Sequence, residues 1–234
     1  MSVERIKNAI ALLGTGLKDE RMQDVAGAFI ETIVPESVFI LEPLKAICSA
    51  ADELRFQRML KGLSPDPLDV ERKMNDLYQF VTNEERALFV SDCFRKALLS
   101  RSRVVCCIMG LILADLTSGE LDLNQTDTII MNALEDFTDY DIENLYRITS
   151  GEYTKVVAEP DIRYIDQTLF PKDKRESYTM TLELCCRNRI TQKEFWVDND
   201  GNAYVDAVKI GETTEKMRDY IVRARRQLNY HYLP

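Results

Sequence analysis

Val104-Val105-Cys106-Cys107-Ile108-Met109-Gly110-Leu111-Ile112-Leu113-Ala114 runs through the middle of the chain without one charge. A helix that is apolar on every side must be covered on every side. The stretch therefore predicts a multi-helix bundle built around a central apolar helix at about residues 103–117. A bilayer needs about 20 apolar residues. This run is shorter, so a buried core helix is expected and stable membrane insertion is not.

The flanking sequence supplies the cover. Val3, Ile6, Ala9, Ile10 and Leu13 recur at three- and four-residue spacing and predict a first helix over 2–13, ended by Gly14-Thr15-Gly16. A second helix is expected over about 18–33, stopped by Pro35. A longer one follows over about 39–63, with Leu41, Leu44, Ile47, Cys48, Ala51, Leu54, Met59 and Leu60 on its apolar stripe. Its polar side is mixed in sign, which favours core packing over an anionic membrane surface. Gly62 and Ser64-Pro65-Asp66-Pro67 form a break, and Asp66 caps the next helix with Pro67 at its first position. Thr82-Asn83-Glu84-Glu85 reads as a capping box that opens a further helix, with Leu88, Phe89, Phe94, Leu98 and Leu99 inward. Ser100 or Ser102 starts the central helix. Two more helices follow, over 121–134 and 140–148, the second capped by Thr138-Asp139-Tyr140-Asp141. The helical domain is expected to span 1–150.

The grammar changes near Thr149-Ser150-Gly151. A short β-branched run leads to a helix over 177–188, read with Met180, Leu184 and Cys185 inward. Lys193-Glu194-Phe195-Trp196-Val197 and Ala203-Tyr204-Val205-Asp206 then flank an Asp-Gly turn and read as a β-hairpin. Thr213 or Thr214 caps a last helix that runs on through Arg226.

The order from about 139 to 226 resembles the winged-helix group, three short helices packed against a hairpin wing. Ile142–Ile148 corresponds to the first helix, Ile162–Leu169 to a short second, Ser177–Asn188 to the third and Phe195–Val205 to the wing. The resemblance implies a small α+β winged-helix-like module over 151–234. Where such domains bind DNA, the third helix enters the major groove and the wing touches the backbone. Carried onto this chain, the candidate partner-binding or nucleic-acid-binding residues are Thr179, Thr181, Arg187, Arg189 and Lys193. Arg189 stands where relatives often place glycine. The wing tip carries Asp198 and Asp200, which would meet phosphate with the wrong charge. Many winged-helix domains bind proteins instead.

Charge and cysteine use narrow the classes further. The chain of 234 residues has a net charge of −9. Residues 1–160 carry 17 Lys and Arg against 27 Asp and Glu, and residues 161–234 carry 13 against 12. The acidic first part repels nucleic acid, whose affinity rests largely on phosphate neutralisation. The basic tail of the last helix, including Arg223, Arg225 and Arg226 among tyrosines, forms a second candidate surface for an acidic partner. Cys106–Cys107 and Cys185–Cys186 are adjacent pairs, poorly placed to bridge themselves, and Cys48 and Cys93 stand alone on apolar faces. Free buried thiols and a reducing cytoplasm are expected. The charged start of the chain carries no apolar signal core, so secretion is not expected.

Little catalytic chemistry is legible. The single histidine is His231, which argues against an interior Ser, Cys or Asp triad built on histidine and against most zinc sites. No Cys-x-x-Cys spacing occurs. Trp196 stands where a calcium loop around Asp198-Asn199-Asp200 needs an oxygen ligand. Gly14-Thr15-Gly16 lacks the strand and third glycine of a dinucleotide loop, and Gly110 is better explained by close helix packing. Asp161, Glu183 and Glu194 form only the skeleton of a metal-dependent nuclease site. No cofactor and no metal are expected. The sequence reads first as a non-enzymatic cytoplasmic regulatory or interaction protein that binds a partner protein or assembles with itself. A DNA-binding regulator is the alternative, with nucleic acid as partner, and a carboxylate-dependent enzyme the third reading.

Overall fold

The computed structural model describes residues 3–16, 42–118, 123–156, 163–197 and 203–229. The helix expected over 18–33, the hairpin tip with Asp198 and Asp200, and His231 lie outside these residues. The described chain is mainly helical, with a small four-stranded antiparallel sheet in its C-terminal part. It groups into two compact units, Met1–Asn124 with Ala224–Pro234, and Gln125–Arg223. Helices that begin at Gln125 thus group with the sheet, upstream of the change in sequence character at Thr149-Ser150-Gly151.

The first unit contains α1 (Val3–Gly16), α2 (Glu42–Leu63), α3 (Val70–Phe80), α4 (Glu84–Leu99) and α5 (Arg103–Thr117). α5 is the expected centre. Every residue from Val104 to Leu113 is buried, and so is Leu116. α2, α3 and α4 pack against it, while α1 packs on α3 and α4. Each fully buried Val, Leu, Ile or Met of this helix stabilises the fold by roughly 1.5–3 kcal/mol. The Ser102 hydroxyl accepts from the Val105 N–H at 3.0 Å and fixes where the helix starts.

The tightest helix contact is made of backbone. Gly62 of α2 and Gly110 of α5 face each other, and a Cβ on Gly62 would overlap the Cys107 carbonyl. A Cβ on Gly110 would overlap the Met59 carbonyl and stand 2.6 Å from the Leu63 nitrogen. Only glycine allows backbones this close. Gly62, read as part of a break, is therefore a packing residue inside the helix, which ends at Leu63.

Several local expectations shift. α1 continues through Gly16. α4 is capped by Asn83, whose side chain accepts from the Arg86 N–H at 2.9 Å, one residue beyond the expected Thr82 cap. Leu54, Leu88 and Leu99, expected inward, are exposed. Asp66 caps as expected, but through a 3-10 turn at Pro67–Asp69 that leads into α3.

The second unit contains α6 (Gln125–Ala133), α7 (Asp139–Ile148), β1 (Thr154–Val156), β2 (Arg163–Ile165), α8 (Arg175–Arg187), β3 (Gln192–Val197), β4 (Ala203–Ile210) and most of α9 (Glu212–Gln227). The expected helix at 162–169 is instead strand β2 followed by one 3-10 turn at Gln167–Leu169. Ile165 explains the difference. It is buried on the sheet with Val208, Ile210, Phe170, Tyr178 and Leu182. The strands lie in the order β1-β2-β4-β3, with Ile165 opposite Val208 and Trp196 opposite Tyr204. The expected hairpin is therefore present, joined at its β4 side by β2. The helix–helix–hairpin order of α7, α8 and the hairpin is also present.

Candidate functional site

α8 is the helix on which the sequence placed most of its candidate residues, and the structure sets which of its faces is free. Its inward face is Tyr178, Thr181, Leu182 and Cys185. Tyr178 sits in an aromatic cluster, edge-on to Phe170 at 5.2 Å and to Tyr153 at 5.7 Å between ring centroids. Burial raises the Tyr178 pKa, with Tyr153 adding to the effect and Arg147 opposing it. Arg147 itself is held by Glu143, Nε to Oε1 at 2.7 Å.

A polar network fixes α8 to α7. The Thr138 hydroxyl donates to Asp141 Oδ2 at 2.6 Å, within the expected capping box. The Thr181 hydroxyl donates to Asp141 Oδ1 at 3.3 Å and accepts from Asn144 Nδ2 at 3.0 Å. One carboxylate therefore serves the start of α7 and the middle of α8. Beyond α8, the Asn188 amide donates to Asp136 Oδ2 at 3.2 Å. Arg189 then takes a left-handed backbone, φ 61°, which lets the Ile190 N–H reach the Cys185 carbonyl at 2.9 Å. This is the conformation glycine favours at such a turn.

With that face locked inward, Glu176, Met180, Glu183 and Arg187 form a single outward stripe at spacings of four, three and four residues. Met180 is 64% exposed. The sequence reading placed it inward, and the helix is rotated from that expectation because Tyr178 takes the central position. The four side chains form no hydrogen bond or ion pair among the described residues.

The predicted residues separate into three groups. Thr181 is only 1% exposed and belongs to the network above, so it is no contact residue for a partner. Thr179 is half-buried. Arg187, Arg189 and Lys193 are exposed, and none has an ion pair among the described residues. The basic residues of α9 are partly engaged inside the unit. Lys216 pairs with the buried Asp127 at 2.5 Å, Arg218 with Glu215 at 3.9 Å, and Arg223 with Asp219 at 3.5 Å while lying over the Tyr220 ring. Arg225 is half-buried and Arg226 exposed. The inward side of α9 is Met217, Tyr220 and Ile221, so its basic tail is first of all the polar side of a packed helix.

Burial raises the Cys185 thiol far above its ordinary range, helped by Cys186 and Asp141. Cys93, Cys106, Cys107, Cys185 and Cys186 are free thiols. Burial opposes ionisation of Asp166, but hydrogen bonds from Lys155 and Thr168 outweigh it and hold the carboxyl below its ordinary value. Glu183 is exposed, whereas Glu194 accepts from the Tyr164 hydroxyl at 3.3 Å and pairs with Lys209 at 3.5 Å. Asp161 lies outside the described residues. Among the described residues no three His, Cys, Asp or Glu side chains are grouped as metal ligands would be, and no helix is long and apolar enough to cross a membrane.

No known protein family, curated protein or solved structure matches the chain. The functional reading rests on the stripe itself. Sequence reasoning named Arg187 as a contact residue, cast Glu183 as a metal-site carboxylate and Met180 as core, and missed Glu176. Their spacing was visible in the sequence, and recognising them required Tyr178 to be set as the inward residue.

Proposed function

We propose that the chain is a non-enzymatic cytoplasmic interaction protein whose C-terminal α+β unit binds protein through the outward face of α8. The observation that carries this reading is the exposed stripe Glu176, Met180, Glu183 and Arg187. Two carboxylates and a bare methionine suit a protein surface and would face a phosphate backbone with the wrong charge. Methionine is common at adaptable binding surfaces because its side chain is flexible and polarisable. The free thiols support a reducing compartment. The test is association of the pure chain, by light scattering and by pull-down. Wild type is expected to self-associate or retain a partner protein, and Met180→Glu is expected to lose that association. A chain that stays monomeric and retains no protein contradicts the proposal.

The alternative is duplex DNA binding, favoured by Arg187, Arg189 and Lys193, which lie exposed and without an ion pair among the described residues around the end of α8 and the start of β3. It requires duplex retention that falls with salt and is lost on Arg187→Glu plus Arg189→Glu. No retention at low salt removes it.

A further inference from the structure

The spacing of the outward stripe of α8 is the same in both directions while its two ends carry opposite charge, and this names its occupant. Glu176 stands at one end and Arg187 at the other. Met180 and Glu183 lie symmetrically between them, flanked by the half-buried Thr179 and Leu184. The midpoint of all three pairs falls between Thr181 and Leu182. We propose that α8 pairs antiparallel with α8 of a second copy, about a two-fold axis at that midpoint. This deepens the protein-binding reading above and rests on it.

Antiparallel superposition places Glu176 of each copy opposite Arg187 of the other, which closes two identical ion pairs at the ends. The same superposition sets Met180 of each copy against Glu183 of the other, so each thioether lies over the aliphatic part of a glutamate beside the axis. Thr179 meets Leu184 at the margin. A two-fold interface needs a surface complementary to itself. A parallel arrangement would instead set Glu176 against Glu176 and Arg187 against Arg187. Charge therefore selects the antiparallel register. All four stripe side chains are exposed and form no hydrogen bond or ion pair among the described residues, so no such contact among them has to break.

The face is small. α8 has 13 residues, about 20 Å of helix, and offers less than the roughly 800 Å² per partner of a standard stable interface. The pairing is accordingly weak, reversible and sensitive to salt.

Charge exchange tests it on the full chain by sedimentation equilibrium. Wild type is expected to rise from 27.0 kDa toward twice that mass between roughly 10 μM and roughly 1 mM. Glu176→Arg alone and Arg187→Glu alone are each expected to weaken association at least about tenfold. An equimolar mixture of the two variants is expected to recover it, because the ion pairs re-form between unlike chains. Circular dichroism confirms that each variant keeps the wild-type helix content. A wild type that is monomeric throughout overturns the inference, as does association that none of these changes alters, or a mixture no better than its components. If the wild type is monomeric yet retains a different protein through Met180, only the second copy is wrong. If it is monomeric and retains nothing, the protein-binding reading fails as well.

Discussion

The two units bury their helices by different means. In the first, α5 has no polar face, and its closest neighbour, α2, touches it backbone to backbone where Gly62 meets Gly110. In the second, α8 is fixed by a mixed set of contacts. One side packs into an aromatic cluster, and a buried threonine ties it to Asp141 and Asn144 of α7. A helix covered on all sides has no surface left for recognition. A helix held along one face keeps the opposite face free. That difference is why the functional candidate lies on α8 although the fold was legible from α5.

The comparison implies an order of sensitivities. The largest effect is expected at the glycine crossing. Gly110→Ala or Gly62→Ala forces two helix backbones apart, and overpacking of this kind costs about 1–3 kcal/mol or more. The lowered midpoint of urea unfolding, followed by circular dichroism, measures it. A neutral Gly110→Ala would show that the helices do not touch as described.

Next comes the polar tie of the second unit. Thr181→Val keeps the volume but leaves Asn144 and Asp141 each short of one hydrogen bond, at a cost of roughly 1–3 kcal/mol. Trp196, the only tryptophan, lies in β3, so its fluorescence reports unfolding of this unit. Equal stability of Thr181→Val and wild type would remove the network from the account.

Caps should matter about equally on the two sides of the comparison. Ser102→Ala at the start of α5 is expected to cost ~1 kcal/mol. Thr138→Ala at the start of α7 is expected to cost at least as much, because its hydroxyl also holds Asp141. Chemical denaturation of the pair measures the difference.

The smallest effects lie around the free face. Arg189 stands at φ 61°, and Arg189→Gly relieves that backbone but adds freedom to the unfolded chain. The expected net gain is roughly 0.5 kcal/mol. Asp166 is a matter of pH. Its folded pKa lies below its ordinary 3.8, so its contribution is fully present above that value and is lost as pH falls through the folded pKa. Asp166→Asn should therefore lose stability relative to wild type at neutral pH, and the gap should close in strong acid. A gap that widens with acid reverses the sign and contradicts the pairing with Lys155 and Thr168.

Much of the first unit could be read from residues because one signal was unambiguous. An apolar helix without a polar side has only one solution in water, and its neighbours follow from their own periodicity. Individual faces were harder. Leu54, Leu88 and Leu99 matched the spacing of core positions yet are exposed, since periodicity marks a stripe wider than the one that packing uses. In the second unit, the short apolar run around Ile165 was read as helix because a three-residue strand is defined by its partners Val208 and Ile210, distant in sequence. The stripe on α8 was misread for a related reason. Met180 and Tyr178 both suit an inward position, and only the ring cluster with Tyr153 and Phe170 decides between them.

The enclosure of α5 is tested most directly by native-state hydrogen exchange of the amides from Cys106 to Leu113. Amides in a fully covered helix exchange only when the unit unfolds globally. They are expected to be among the slowest in the chain, with exchange free energies that fall in step with global stability when Gly110→Ala is introduced. Exchange of these amides as fast as that of exposed loops, with no response to that substitution, would contradict the account.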